Sequence, residues 1–297
     1  MILQNLIMLT LIFSLPTSDF GLLTSGFELP TSLSNLPTSD FPRRLSGSLP
    51  TGQAGFPLVN SIQLILLAAL LLFALYYVYE TFFGKNYQPR LWKQQMKAGH
   101  ISKSLQKSES RYKDSIRFFT WWFAVEQIKK QNVPGSFAEL GVYKGDSAEI
   151  LHLMDESRPF HLFDTFSGFQ AKDLEGETGK AAGYTTHHFA DTSPERVKQR
   201  LDAKEFIFHP GDFSQTQIEA ENEQFALVNM DADLYHPTKS GLEFFYPRLA
   251  PGGMIFIHDY NPDWPGIVKA VDEFTRKMGF SLIHIPDTDD TVVILRR

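Results

Sequence analysis

The chain of 297 residues contains no cysteine. That excludes disulfides, a thiolate zinc site and a cysteine nucleophile, but it leaves the compartment open, because a thiol-free chain suits either redox state. A basic excess is also missing. The net charge of -6 gives no electrostatic footprint for nucleic acid, and no motif that reads RNA or DNA appears. The dinucleotide fingerprint G-x-G-x-x-G is absent as well.

Charge itself disappears between Leu58 and Tyr79, in LVNSIQLILLAALLLFALYYVY. As a helix this stretch would be about 33 Å long, enough to cross a bilayer core. Tyr76, Tyr77, Tyr79, Phe82 and Phe83 gather at one end, as an interfacial aromatic belt would. Residues 58–83 are therefore expected to form one transmembrane helix. Only Arg43 and Arg44 are basic on its N-terminal side. Lys85, Arg90, Lys93, Lys97, Lys103, Lys107, Arg111 and Lys113 come after it. The positive-inside rule then places the rest of the chain on the cytoplasmic side of a single-pass membrane protein, with residues 84–110 as a basic juxtamembrane linker.

Before that helix the sequence repeats in sevens: LPTSDFG, LLTSGFE, LPTSLSN, LPTSDFP, and a degenerate LPTGQAG at 49–55. Each unit carries Pro, Ser, Thr or Gly in place of the a/d apolar pair of a coiled coil. Residues 1–57 read as a disordered low-complexity segment. Residues 1–15 are apolar, but no Lys or Arg precedes the run, which makes a poor signal peptide.

From residue 111 onward, strand-like and helical runs alternate. Strands are expected at 137–140, 160–163, 206–209, 225–230 and 254–258, with helices over 111–130, 146–154, 238–249 and 267–278. Two further strands, FSLIHI and TVVIL, are separated only by DTDD and so must form an antiparallel hairpin. Residues 165–192 are polar and read as an insertion or lid. The fold class is α/β: a Rossmann-like sheet of seven strands, parallel except for the C-terminal hairpin.

Ligands of such sheets bind beyond the carboxyl ends of the strands, and polar motifs recur there. The first strand ends in ELGVYKGDS, where Gly141 and Gly145 permit a sharp turn before a helix N-terminus. Glu139 in that strand needs a partner. Asp164 ends the second strand, at the distance where dinucleotide folds hold ribose hydroxyls; it would equally serve as a cap. Gly211 and Asp212 end the third. The fourth and fifth end in NMDADLY and IFIHDY, which brings Asp231, His258 and Asp259 to one edge. Two carboxylates and an imidazole can hold a divalent ion. The alternative has Asp231 accepting backbone amides. Asp233 reads as the cap of the following helix.

FAELGVYKGDSAE, FHLFDTFSGF, MDADLYHPTKSGLEFFYPRLAPGGMIFIHDY and PGIVKAVDEF together resemble the macrocin O-methyltransferase (TylF-type) family of S-adenosylmethionine-dependent enzymes, over residues 135–276. The resemblance implies a cofactor site in which Glu139, Gly141, Gly145 and Ser147 line the methionine side, Asp164 holds the ribose, and Gly211 and Asp212 sit near the adenine. It also implies magnesium or another divalent ion on Asp231 and Asp259, with His258 standing where the family's DDY motif has an aspartate. Asp231 and His258 would then be catalytic. The expected reaction is methylation of a hydroxyl on a sugar or glycosylated small molecule. A metal-independent small-molecule methyltransferase and an inactive membrane-tethered interaction module are the competing readings, and the sequence leaves a homo-oligomer open. An oxidoreductase on the same sheet is disfavoured by the G-x-x-x-G spacing.

Overall fold

The computed structural model describes residues 58–82, 88–202 and 204–297. The repeat segment expected to be disordered lies outside the described residues. Helix α1 (Leu58–Phe82) covers the charge-free run. Within it Ser61–Tyr79 is long and apolar enough to cross a membrane, with a mean hydropathy of 2.3 and no residue buried.

The stretch expected to be a linker is instead folded. Helices α2 (Arg90–Lys97) and α3 (Lys103–Arg111) and the turn between them send Trp92, Leu105 and Ile101 into the same core as Phe118 and Trp122 of α4 (Ser115–Gln131). The ring of Trp92 meets Phe118 at 5.5 Å and Trp122 at 5.2 Å, both edge-on. A tryptophan this deep is worth about 3–5 kcal/mol against alanine, so the folded domain reaches back at least to Trp92. The remaining residues of α2 are polar or basic except Leu91 and Met96, which is why the sequence reads as a solvated linker.

Helix α4 starts where the Asp114 side chain accepts the Arg117 amide, and it ends at Asn132 in the left-handed region. The sheet comes next, in the order β3-β2-β1-β4-β5-β7-β6. Its strands are β1 (Ser136–Leu140), β2 (Phe160–Asp164), β3 (Phe206–Pro210), β4 (Phe225–Met230), β5 (Leu249–Ile257), β6 (Ile283–His284) and β7 (Val292–Leu295). Pairs among β1 to β5 are parallel, while β7 runs antiparallel to both β5 and β6. Every residue of β1 and β4 is buried, as a sheet covered on both faces requires. The expected seven-stranded sheet with its terminal hairpin is present. Strand β5 starts earlier than expected, pairing with β4 at Leu249 and again from Met254, with a register shift at the intervening Pro-Gly-Gly segment.

The connecting helices are α5 (Asp146–Met154), α6 (Pro194–Leu201), α7 (Phe213–Thr216), α8 (Tyr235–Arg248) and α9 (Pro265–Met278). Helix α6 is capped by Ser193 and directly follows the 165–192 segment, which contains two short 3-10 turns.

Candidate active site

Between β1 and α5 the chain turns at Gly141, whose φ is +88°. A Cβ there would lie 1.9 Å from the Asp231 carbonyl oxygen, so only glycine fits. The Asp231 amide in turn donates to the Leu140 carbonyl at 2.8 Å. The ends of β1 and β4 are thus pressed together. Gly145, also left-handed, forms the N-cap of α5 against Val197. A cavity of about 680 Å³ opens above these strand ends, large enough for a cofactor and part of an acceptor.

Of the residues expected at the cofactor, Gly141, Ser147, Asp164, Gly211 and Asp212 line this cavity. Gly145 and Glu139 do not. Asp164 is largely committed to the loop. Its Oδ2 accepts the Val142 and Tyr143 amides at 2.7 and 2.8 Å, and Oδ1 accepts that of Phe166 at 2.6 Å. Only Oδ1 keeps capacity for a ligand. Asp212 caps α7 through Ser214 and pairs with Lys172. Burial raises its acid, but the bonds from Lys172 and Ser214 outweigh that and hold it below the usual range.

Glu139 is fully buried on β1. Its Oε1 accepts Asn229 Nδ2 at 2.7 Å, while Oε2 has no hydrogen-bond partner of good geometry. Desolvation pushes the acid up to about 8, against the pull of Ser147 and Asn229. A buried carboxyl with an unspent oxygen beside the glycine turn fits the ammonium end of an amino-acid-bearing cofactor.

Asp231, Asp233 and Asp259 have carboxylate oxygens within 4.8 Å of one another. Among the described residues these oxygens have no hydrogen-bond or ion-pair partner. Burial pushes Asp231 up to about 6 and Asp259 to about 8, and it raises Asp233 well above the carboxylate range, with Asp231 and Asp259 adding repulsion. Asp233 and Asp259 both sit in the left-handed region, at φ +60° and +61°. Backbone strain of this kind is typical of functional sites. The donor set is all oxygen, which suits a hard divalent cation.

This corrects two expectations. Asp233 does not cap α8, whose N-cap is Leu234 with no side-chain bond; it joins the carboxylate cluster instead. His258 is not in that cluster. It is 1% exposed and both ring nitrogens are engaged, Nε2 with Asn229 Oδ1 at 2.7 Å and Nδ1 with Thr291 Oγ1 at 2.7 Å. Burial and the nearby Arg117 keep it neutral, well below its ordinary pKa. It has no free lone pair for a metal or for a substrate proton.

Sequence reasoning missed the cavity wall contributed by Tyr112, Arg117 and Trp121. Arg117 Nε donates to Asp287 Oδ2 at 2.9 Å, and its Nη2 pairs with Asp289. The DTDD turn of the hairpin is thereby tied to α4, and Asp289 also lines the cavity. An arginine beside the aromatic run of α4, with four polar residues between two strands, was the available signal. The sequence also holds a Tyr-x-x-x-Lys pair, Tyr235 and Lys239. Its hydroxyl donates to Glu273 at 2.8 Å and it lies outside the cavity lining. His187 and His188 are exposed and likewise outside it.

Residues 116–297 match the model of the macrocin-O-methyltransferase (TylF) family. Curated relatives include the 8-demethyl-8-(2,3-dimethoxy-alpha-L-rhamnosyl)-tetracenomycin-C 4'-O-methyltransferase of Streptomyces olivaceus, 28% identical over 59% of this chain and 70% of that one. Demethyldecarbamoylnovobiocin O-methyltransferase of Streptomyces niveus is 30% identical over 52% of this chain and 63% of its own. This chain thus spans about two thirds of the length of these relatives. Among solved structures, the O-methyltransferase NovP is 25% identical with a TM-score of 0.52, covering 61% of this chain and 80% of that one. The chain belongs to the macrocin-O-methyltransferase (TylF) family and is an S-adenosylmethionine-dependent methyltransferase.

Proposed function

We propose that this protein is a membrane-anchored O-methyltransferase that methylates a hydroxyl of a sugar or glycosylated small molecule with the help of a divalent cation. The observation carrying this reading is the convergence of Asp231, Asp233 and Asp259, without partners of their own, beside the glycine turn. The relatives' names support a hydroxyl acceptor, and the first names a rhamnosyl-bearing compound.

The cofactor's sulfonium supplies an electrophilic methyl group, and transfer is an in-line displacement. The protein's task is to align the acceptor oxygen and take its proton. A sugar hydroxyl is too weakly acidic to ionise readily at neutral pH. A divalent cation held by Asp231, Asp233 and Asp259 would lower that cost. Burial and the charges of Asp231 and Asp259 raise the Asp233 acid, which suits it to receive the proton. His258 takes no direct part in this step.

Membrane anchoring rests on α1 and on the charge carried by α2 and α3. Arg90, Lys93 and Lys97 share one face of α2, and Lys103, Lys107 and Arg111 share one face of α3; all six are exposed, opposite buried Trp92 and Leu105. Such cationic faces, soon after an apolar helix in the chain, suit anionic headgroups, each charge being worth about 1 kcal/mol near the surface.

Labelled-methyl transfer from S-adenosylmethionine into membrane extracts, with and without EDTA, tests the reading. We expect label in a hydroxyl-bearing glycan or glycosylated product, with chelation abolishing it. Full turnover in EDTA would remove the cation from the mechanism, and release of the full chain by carbonate washing would remove the anchor.

A further inference from the structure

His258 occupies the position where the family resemblance implies a metal-binding aspartate, and the fold gives it another setting. It is the middle link of a buried chain of polar side chains crossing three strands. At one end Asn229 Nδ2 donates to Glu139 Oε1, the two residues being register partners on β4 and β1. His258 Nε2 lies 2.7 Å from Asn229 Oδ1, and Nδ1 lies 2.7 Å from the Thr291 hydroxyl. That hydroxyl donates to Asp287 Oδ2 at 2.5 Å, while the Thr291 amide donates to Asp287 Oδ1 at 2.7 Å. Arg117 closes the far end on Asp287.

Glu139, Asn229, His258 and Thr291 are each no more than 2% exposed. A polar side chain buried this deeply is costly unless it is satisfied, and Glu139 Oε2 has no hydrogen-bond partner of good geometry. The open valence is at the cofactor end.

We infer that His258 is a positioning residue: through Asn229 it fixes the Glu139 carboxyl for the amino-acid end of the cofactor, and through Thr291 it ties that carboxyl to the Arg117–Asp287 pair. The inference rests on the reading that S-adenosylmethionine binds with its ammonium toward Glu139. It does not depend on the acceptor, the cation or the membrane.

The test is calorimetric binding by the full chain of two probes, S-adenosylhomocysteine, which carries the amino-acid end, and 5′-methylthioadenosine, which lacks it. His258→Phe keeps the ring volume and removes both bonds. We expect it to weaken S-adenosylhomocysteine by about tenfold or more, with 5′-methylthioadenosine changed less than about twofold. His258→Gln, able to hydrogen-bond Asn229, should recover part of the loss. Thr291→Val should weaken S-adenosylhomocysteine less, and should add nothing on the His258→Phe background, because the link it breaks is already cut. If His258→Phe does not fold, Thr291→Val alone must still separate the two probes. Equal loss for both probes would make His258 a packing residue and overturn the inference. Unchanged binding of both, or additivity in the double variant, would overturn it too. Wild-type protein that binds the two probes equally would overturn the underlying placement of the ammonium instead.

Discussion

Two groups of aspartates meet at one cavity, which Asp289, Asp231, Asp233 and Asp259 line, and they are treated in opposite ways. Asp287 and Asp289 are held by Arg117, which reaches them from α4. Asp231, Asp233 and Asp259 face one another with no cation in hydrogen-bond reach among the described residues. The first group shares a cation and behaves as structure. The second is left in debt by the fold, and buried like charge of that kind is tolerated where a ligand, a proton or an ion completes it. Residue type alone does not separate the two; the partner does.

The strongest way to break this contrast is to remove the partner. Arg117→Ala should cost about 3–5 kcal/mol of stability by stranding buried Asp287, read as a lowered thermal midpoint in detergent. A change within experimental error would mean the pair is not structural. In the other group Asp231→Asn should lower transfer by about 10²–10³-fold and leave cofactor affinity nearly intact. Comparable loss of S-adenosylhomocysteine binding would place Asp231 at the cofactor instead.

A gentler measurement needs no substrate. Magnesium at about 100 times its dissociation constant should stabilise the wild type by about 2.7 kcal/mol. Asp259→Asn should raise the stability of the metal-free protein by relieving repulsion, and should abolish the response to magnesium. If magnesium stabilises the variant as well, its site lies elsewhere.

The last effect concerns Glu139. Its acid is raised to about 8 by burial, so between about pH 4.5 and 8 the folded protein holds a proton that the unfolded chain has released. Stability should therefore fall as pH rises through that window, by at most about 1.4 kcal/mol per pH unit from this group. Glu139→Gln should flatten that slope in thermal melts of the cofactor-free protein, and an unchanged slope would assign it to other carboxyls.

Much of this was legible in the sequence, for identifiable reasons. Short apolar strands alternating with helices, and a four-residue turn between the last two, dictate a parallel sheet with a terminal hairpin. Glycines at a strand end mark the cofactor turn because no other residue fits there. Helices α2 and α3 were illegible because each buries few residues, and six exposed cations dominate their pattern. The roles of His258 and Asp233 were illegible for a different reason. At the end of a strand one residue's difference in position turns a side chain from cavity to core, and the backbone at Asp233 and Asp259 adopts left-handed angles that no spacing rule anticipates. One clue was available: Asn229 and Glu139 are polar residues inside apolar strands, and each demanded a buried partner.

The contact between Gly141 and the Asp231 carbonyl has a consequence for how this enzyme can change. With cofactor turn and carboxylate loop in backbone contact, neither can be remodelled without moving the other. New acceptors must therefore be accommodated by parts of the cavity wall that are free of this lock: Phe169, Lys172 and Phe189 in the 165–192 segment, and Tyr112 and Trp121 on the N-terminal side. Selection for a different acceptor would leave its record in those stretches, while the strand tips stayed constant.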